Sequence, residues 1–161
     1  MNARLVTIGV YITALVALVD QGSKWWLMNE VMRPPHPAAV PVTSFLNLTL
    51  TWNKGVTFGL FNHAYPWMSY VFIGAAVVIL LLLLNWLVHT TSTIVGVGLS
   101  LVMGGALGNV IDRVNYGAVV DFLDFHAFGY HWYAFNIADS AIVCGVGLLL
   151  LENLVRGKKT S

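Results

Sequence analysis

The sequence predicts a mainly α-helical integral membrane protein, with four transmembrane helices and a strand-forming loop region on one membrane face. Three observations carry that prediction. Of 161 residues, 58% are hydrophobic and 9% charged, and the mean hydropathy is +0.76. A soluble domain has about 25% charged and roughly 45–50% apolar residues. The apolar residues fall in four blocks, each near the roughly 20 residues that cross a bilayer as a helix. Between the first two blocks, residues 45–53 alternate apolar with polar, the period of a half-buried strand. This composition excludes a water-soluble globule, a disordered chain and a disulfide scaffold. A net charge of +1 without basic runs gives no nucleic-acid surface, and the lone Cys144 forms no internal disulfide.

The spans fall at about residues 5–26, 67–88, 94–111 and 137–155, leaving loops at about 27–66 and 112–136. The chain therefore reads as one integral membrane domain over residues 1–161. The first block follows Arg4 as a secretory signal would, but no A-x-A site closes it and three more spans follow, so it reads as a retained helix. Orientation rests on lysine and arginine placement. Arg4, Arg156, Lys158 and Lys159 crowd the two short tails, whereas Lys24, Arg33, Lys54 and Arg113 are spread over the two long loops. Both termini are therefore expected in the cytoplasm.

In that orientation, five of the seven acidic residues converge on the outer face: Asp20, Asp112, Asp121, Asp124 and Asp139. An ionised aspartate at the centre of a lipid-facing helix costs roughly 2.5–3.5 kcal/mol, so these acids should line a wet pocket at the interface. The loops supply its walls. Arg33-Pro34-Pro35-His36-Pro37 is a proline-rich connector that cannot be helical in its interior. In the strand over 45–53, Leu46, Leu48, Leu50 and Trp52 face one way and Asn47, Thr49, Thr51 and Asn53 the other, and Asn53-Lys54-Gly55 ends it as a turn. A second strand fits residues 118–125. There the odd spacing of Asp121 and Asp124 points them to opposite faces.

Several of these residues have a structural and a chemical reading. Asn136 and Asp139 have the spacing of a helix N-cap and its reciprocal acid. Asp121 has no evident local partner. Two carboxylates brought together in a partly dry pocket share one proton, so one can act as base on a water while the other polarises a carbonyl. That is aspartic-protease chemistry and needs no metal; a purely structural role or an ion path remains open on these residues alone. Asp112 at the end of span three needs a cation, which Arg113 or Lys24 could supply. Asp20 and Lys24 stand one turn apart, as an interfacial ion pair with a snorkelling lysine would. Ser100, Gly104, Gly105 and Gly108 favour close helix packing. His126 and His131 raise a zinc site with Asp121 or Asp124, but no metal-binding spacing supports it. Cys144 is expected to pack inside span four, and the six tryptophans to form interfacial belts, with Trp132 able to cover the pocket.

Five ordered stretches then carry a resemblance. They are Asp20-Gln21-Gly22-Ser23-Lys24, Asn53-Lys54-Gly55-Val56-Thr57-Phe58, Gly104-Gly105-Ala106-Leu107-Gly108-Asn109-Val110-Ile111-Asp112-Arg113, Val119-Val120-Asp121-Phe122 and Phe135-Asn136-Ile137-Ala138-Asp139-Ser140. Together they resemble the bacterial lipoprotein signal peptidases, the type II signal peptidases. The resemblance implies four transmembrane helices with a small extracytoplasmic β-sheet, in the bacterial cytoplasmic (inner) membrane. It implies an aspartyl endopeptidase that cuts before the diacylglyceryl-modified cysteine of prolipoproteins. Asp121 and Asp139 would be the catalytic pair, Asn53, Asn109, Arg113 and Asn136 would line the site, and Asp20, Lys24 and Asp112 would support it. No metal and no cofactor is implied, and the partners would be lipid-modified prolipoproteins and membrane lipids; the chain itself is expected to be a monomer. One departure stands out: many members carry small residues after the motif glycine, where Val56 and Thr57 follow Gly55 here. The alternative from a different class is a small proton- or ion-coupled carrier using the interfacial aspartates.

Overall fold

The computed structural model describes residues 2–33, 39–55 and 67–157. Four helices account for most of them: α1 (Ala3–Trp26), α2 (Met68–His89), α3 (Thr93–Tyr116) and α4 (Ile137–Gly157). All four contain a stretch long and apolar enough to cross a membrane. At one end of the bundle, β1 (Val40–Thr43), β2 (Leu46–Asn53), β3 (Val119–Ala127) and β4 (Tyr130–His131) form an antiparallel sheet in chain order.

The helix ends follow from specific residues. The Asn2 side chain accepts a hydrogen bond from the Leu5 N–H and caps α1. Ser92 caps α3 by accepting from the Val95 N–H, while its own hydroxyl donates to Glu152 at 2.8 Å and ties the α2–α3 turn to α4. Gly117 ends α3 at φ +70°, the left-handed conformation that glycine adopts without penalty.

Two boundaries differ from the sequence expectation. Helix α3 runs to Tyr116, not to 111, because Asn109, Asp112 and Arg113 turn inward and are satisfied there. The segment between spans three and four therefore begins after residue 116. The first span likewise continues beyond Trp26 through a π-helical turn at Leu27–Val31. Leu27 is buried there with Met32, Val120 and Phe122, under the sheet. Phe45 lies outside β2, and the second strand is Val119–Ala127, shifted from the expected 118–125. The Pro34–Pro37 connector, Val56 and Thr57 lie outside the described residues.

Helix α3 sits at the centre, packed between α1, α2 and α4. Its small residues make this possible. A Cβ on Gly104 would lie 2.6 Å from the Cβ of Val16, and one on Gly98 would lie 3.0 Å from the Gly145 carbonyl oxygen. In lipid no hydrophobic force drives helices together, so such close backbone approach supplies much of the packing. By contrast α2 buries only Ser69 and Leu87, with Leu87 set against Leu99 and Met103 of α3. All six tryptophans are exposed on the surface of the protein, as amphipathic rings at a membrane interface would be.

Candidate active site

The sheet-side ends of α1 and α3 meet around one buried lysine. Lys24 Nζ lies 2.6 Å from Asp20 Oδ2 and 2.8 Å from Asp112 Oδ2, and all three side chains are almost wholly excluded from solvent. Lys24 does not snorkel, because two carboxylates compensate its charge inside the protein. Of the two candidate cations for Asp112, the structure uses Lys24. Gln21 also donates to Asp112 at 2.7 Å. Gly108 makes room for this cluster: a Cβ there would stand 2.5 Å from Asp20 Oδ2.

Each acid also reaches another element, Asp20 through its second oxygen and Asp112 through the oxygen that pairs with Lys24. Asp20 Oδ1 accepts from the Ala138 N–H at 2.9 Å, and Asp112 Oδ2 accepts from the Val120 N–H at 3.0 Å. Ala138 precedes Asp139 at the start of α4, and Val120 precedes Asp121 on β3. The ion cluster thus grips the backbone one residue before each of the two candidate catalytic acids.

Those acids meet at Asn136. Its side-chain amide donates to Asp121 Oδ1 at 2.8 Å, while its Oδ1 accepts from the Asp139 N–H at 2.9 Å and its N–H donates to Asp139 Oδ2 at 3.3 Å. The predicted cap at the start of α4 is therefore present, and it fixes Asp139 beside Asp121. Asn53 donates to Asp121 Oδ2 at 3.0 Å, and Asn109 donates to Asp139 Oδ1 at 2.9 Å. Neither acid has an ion-pair partner among the described residues. Burial, reinforced by the negative charge of Asp139, raises Asp121 from the usual carboxylate range to about 7, against the opposing pull of its amide donors and Lys24.

Arg113 closes one side. It donates to the carbonyl oxygens of Gly55 at 3.0 Å and Asn109 at 3.4 Å, and its guanidinium carbon lies 5.1 Å from the centre of the Phe72 ring. Gly55 in turn donates its N–H to Asn53 Oδ1 at 3.0 Å, an Asx turn that holds Asn53 toward Asp121.

The nine site residues that the resemblance implies thus join one connected network. Asp124 stands apart: it accepts from Asn47 at 3.2 Å and pairs with His131 at 2.9 Å, sharing no partner with Asp121. His126 stacks on His131, and no group of three or more potential metal ligands occurs among the described residues. Cys144 does not pack inside the bundle. It is exposed, because α4 turns Ala138, Ile142, Gly145 and Leu149 toward α3. Cys144 instead lines a mainly apolar groove of about 500 Å³ with Trp132, Phe135, Ser140, Ile142, Val143 and the catalytic candidate Asp139. Sequence reasoning also passed over Gln21, which stands inside a quoted motif, and Phe72, which carries no local signal.

Comparison with known proteins shows the family and the fold. The family model described as signal peptidase (SPase) II matches residues 12–155. A lipoprotein signal peptidase of Rhodopseudomonas palustris (strain TIE-1) is 43% identical over 151 residues, covering 89% of this chain and 90% of that protein. One from Burkholderia vietnamiensis (strain G4 / LMG 22486) is 43% identical over 153 residues, covering 92% and 89%. A solved bacterial membrane enzyme structure superposes with a TM-score of 0.83 at 31% identity, covering 96% of this chain and 92% of that one. A second gives 0.78 at 32% identity, covering 92% and 93%.

Proposed function

The chain belongs to the signal peptidase II family, and from that premise we propose how its site works: Asp121 and Asp139 share one proton and together activate a water against the scissile peptide bond. The chain is a membrane peptidase that removes signal peptides from prolipoproteins. The bond cut is the one before the diacylglyceryl-modified cysteine. The observation that carries the aspartyl reading is Asn136, one side chain hydrogen-bonded to both acids. With Asp121 raised to about 7, it is the acid that holds the proton near neutral pH.

In the reaction the ionised carboxylate takes a proton from water as the water oxygen bonds to the carbonyl carbon. The protonated carboxyl hydrogen-bonds to the carbonyl oxygen as negative charge grows there. Collapse of the tetrahedral intermediate breaks the C–N bond, and the proton taken from water passes to the leaving amine. Asn53, Asn109 and Asn136 keep the carboxylates oriented, and Arg113 holds a substrate carbonyl with its planar donor fork. Asp20, Lys24 and Asp112 act one step back, on the backbone at Ala138 and Val120. The chemistry uses no metal and no cofactor.

The surroundings suit a substrate already held in lipid. The groove along α4 lets an acyl chain or the signal helix reach Asp139 from the bilayer. Both termini lie in the cytoplasm, and the site opens at the extracytoplasmic face of the bacterial inner membrane. A single copy supplies every residue used. The carrier alternative is not favoured: its acids would stand near the midplane, whereas these cluster at one end of the bundle with the sheet.

The test is cleavage of a diacylglyceryl-modified prolipoprotein by the purified protein in detergent, beside Asp121→Asn, Asp139→Asn and Asp124→Asn. Wild type and Asp124→Asn should cut before the lipidated cysteine, and the other two should not. Folded Asp121→Asn and Asp139→Asn proteins that still cut would end the two-aspartate mechanism. An unlipidated precursor cut as fast as the lipidated one would end the lipid-guided entry.

A further inference from the structure

Arg113 is held in an unusual way for a half-buried cation. Among the described residues it forms no ion pair, although Asp139, Asp121 and Asp112 all lie close enough to act on its charge. Its contacts are two carbonyl oxygens, of Gly55 and Asn109, and the face of Phe72. Phe72 comes from α2, the helix that otherwise turns outward almost everywhere. Its neighbours Tyr70 and Val71 are exposed, but Phe72 is half-buried, turned toward α3.

A ring and a carboxylate hold a guanidinium with different consequences. A carboxylate would neutralise it and occupy its donor fork. An aromatic face attracts the cation through its quadrupole, leaves the charge in place and takes no N–H donor. It also restricts the plane, since the guanidinium lies against the ring. Downstream, Arg113 fixes the Gly55 carbonyl, the Gly55 N–H holds Asn53, and Asn53 donates to Asp121. Phe72 is therefore the outer end of a chain of contacts that finishes on a catalytic candidate.

We infer that Phe72 is a positioning residue for the reaction: it fixes the Arg113 guanidinium against Gly55 while leaving its charge available to substrate. The inference rests on the functional reading of Arg113 and Asp121 given above. It also gives α2 a task at the site that its lipid-facing sequence does not suggest.

The experiment is steady-state cleavage of the lipidated precursor by the full-length protein carrying Phe72→Leu or Phe72→Tyr. Each is also made in an Arg113→Lys background, with thermal unfolding as the check on folding. Leucine keeps apolar bulk without a π face, and tyrosine keeps the face. Phe72→Leu should lower kcat/KM by roughly 2- to 30-fold, and Phe72→Tyr should stay within about 2-fold of wild type. In the Arg113→Lys background, Phe72→Leu should cost little further, because the planar partner is already gone. If Phe72→Leu does not fold, Phe72→Met, which also lacks the ring, takes its place. Full activity in Phe72→Leu overturns the inference, as does an equal loss in Phe72→Tyr or full additivity with Arg113→Lys. A wild type that cleaves nothing would instead overturn the peptidase reading itself, so the two failures are distinguishable.

Discussion

Two pairs of carboxylates, of which only Asp139 is partly exposed, lie side by side in this protein and are treated in opposite ways. Asp20 and Asp112 share Lys24, both at ion-pair distance, and each also receives a backbone N–H. Asp121 and Asp139 receive amide donors from Asn53, Asn109 and Asn136 and have no ion-pair partner among the described residues. The first pair is neutralised as far as one lysine allows and fixes backbone. The second keeps hydrogen-bonding geometry without charge compensation, the condition that the proposed shared proton requires. Amides orient a carboxylate without deciding its protonation as firmly as a lysine would, which is what acid–base chemistry requires.

Substitutions can break this contrast. The largest effect on rate is expected from Asp121→Asn and Asp139→Asn, each lowering kcat by roughly a hundred- to ten-thousandfold in a peptide-cleavage assay. Neither should lower the melting temperature much, since no ion pair is lost. Lys24→Met should do the reverse to the scaffold. It leaves two carboxylates buried without their cation and should cost about 3–5 kcal/mol, read as a large fall in thermal stability in detergent.

A pH series sharpens the comparison. The folded Asp121 holds its proton up to about 7, whereas the model value for an aspartate is 3.8. Between those values the folded state binds more protons than the unfolded state, so stability from this group is greatest below 3.8 and falls as pH rises toward 7. The total is on the order of 4 kcal/mol, and the melting temperature should decline across that window more steeply in wild type than in Asp121→Asn. Equal slopes would mean that Asp121 is not the proton-holding acid. The smallest effect is expected at the acid outside both pairs. Asp124→Asn loosens a half-exposed contact to His131 and should change stability by no more than about 1 kcal/mol, with cleavage within twofold of wild type.

The sequence makes some of this legible and hides the rest for physical reasons. The four spans are readable because lipid demands long apolar helices, and the outer gathering of acids follows from their order along the chain. The end of α3 is hidden from hydropathy, since Asn109, Asp112 and Arg113 look like a loop but turn their polar groups inward. Gly117 is the local stop signal that marks the true end. Cys144 is misread because lipid-facing and protein-facing residues have the same apolar character, and only the register of α4 on α3 separates them. The pairing of Asp121 with Asp139 has a residue-level rationale and Asn136 is readable as the cap of α4, but Asn53 and Asn109 are recognisable as site residues only through the resemblance. Asp124 shows how alternation along a strand can separate two similar acids. Phe72 is invisible in sequence, because a phenylalanine in an apolar helix gives no sign of which cation it faces.

The hydrogen bond from Ala138 to Asp20 joins positions 118 residues apart. It fixes an order of events during synthesis. The first three spans and β3 bring together Lys24, both of its carboxylates and Asp121, yet Asp139 and Asn136 are still missing. Only when the last helix has entered the bilayer and come to rest on the third does the Ala138 N–H find its acceptor. A nascent or truncated chain therefore carries the lysine and its two carboxylates but neither the Ala138 donor nor the second of the two candidate catalytic acids.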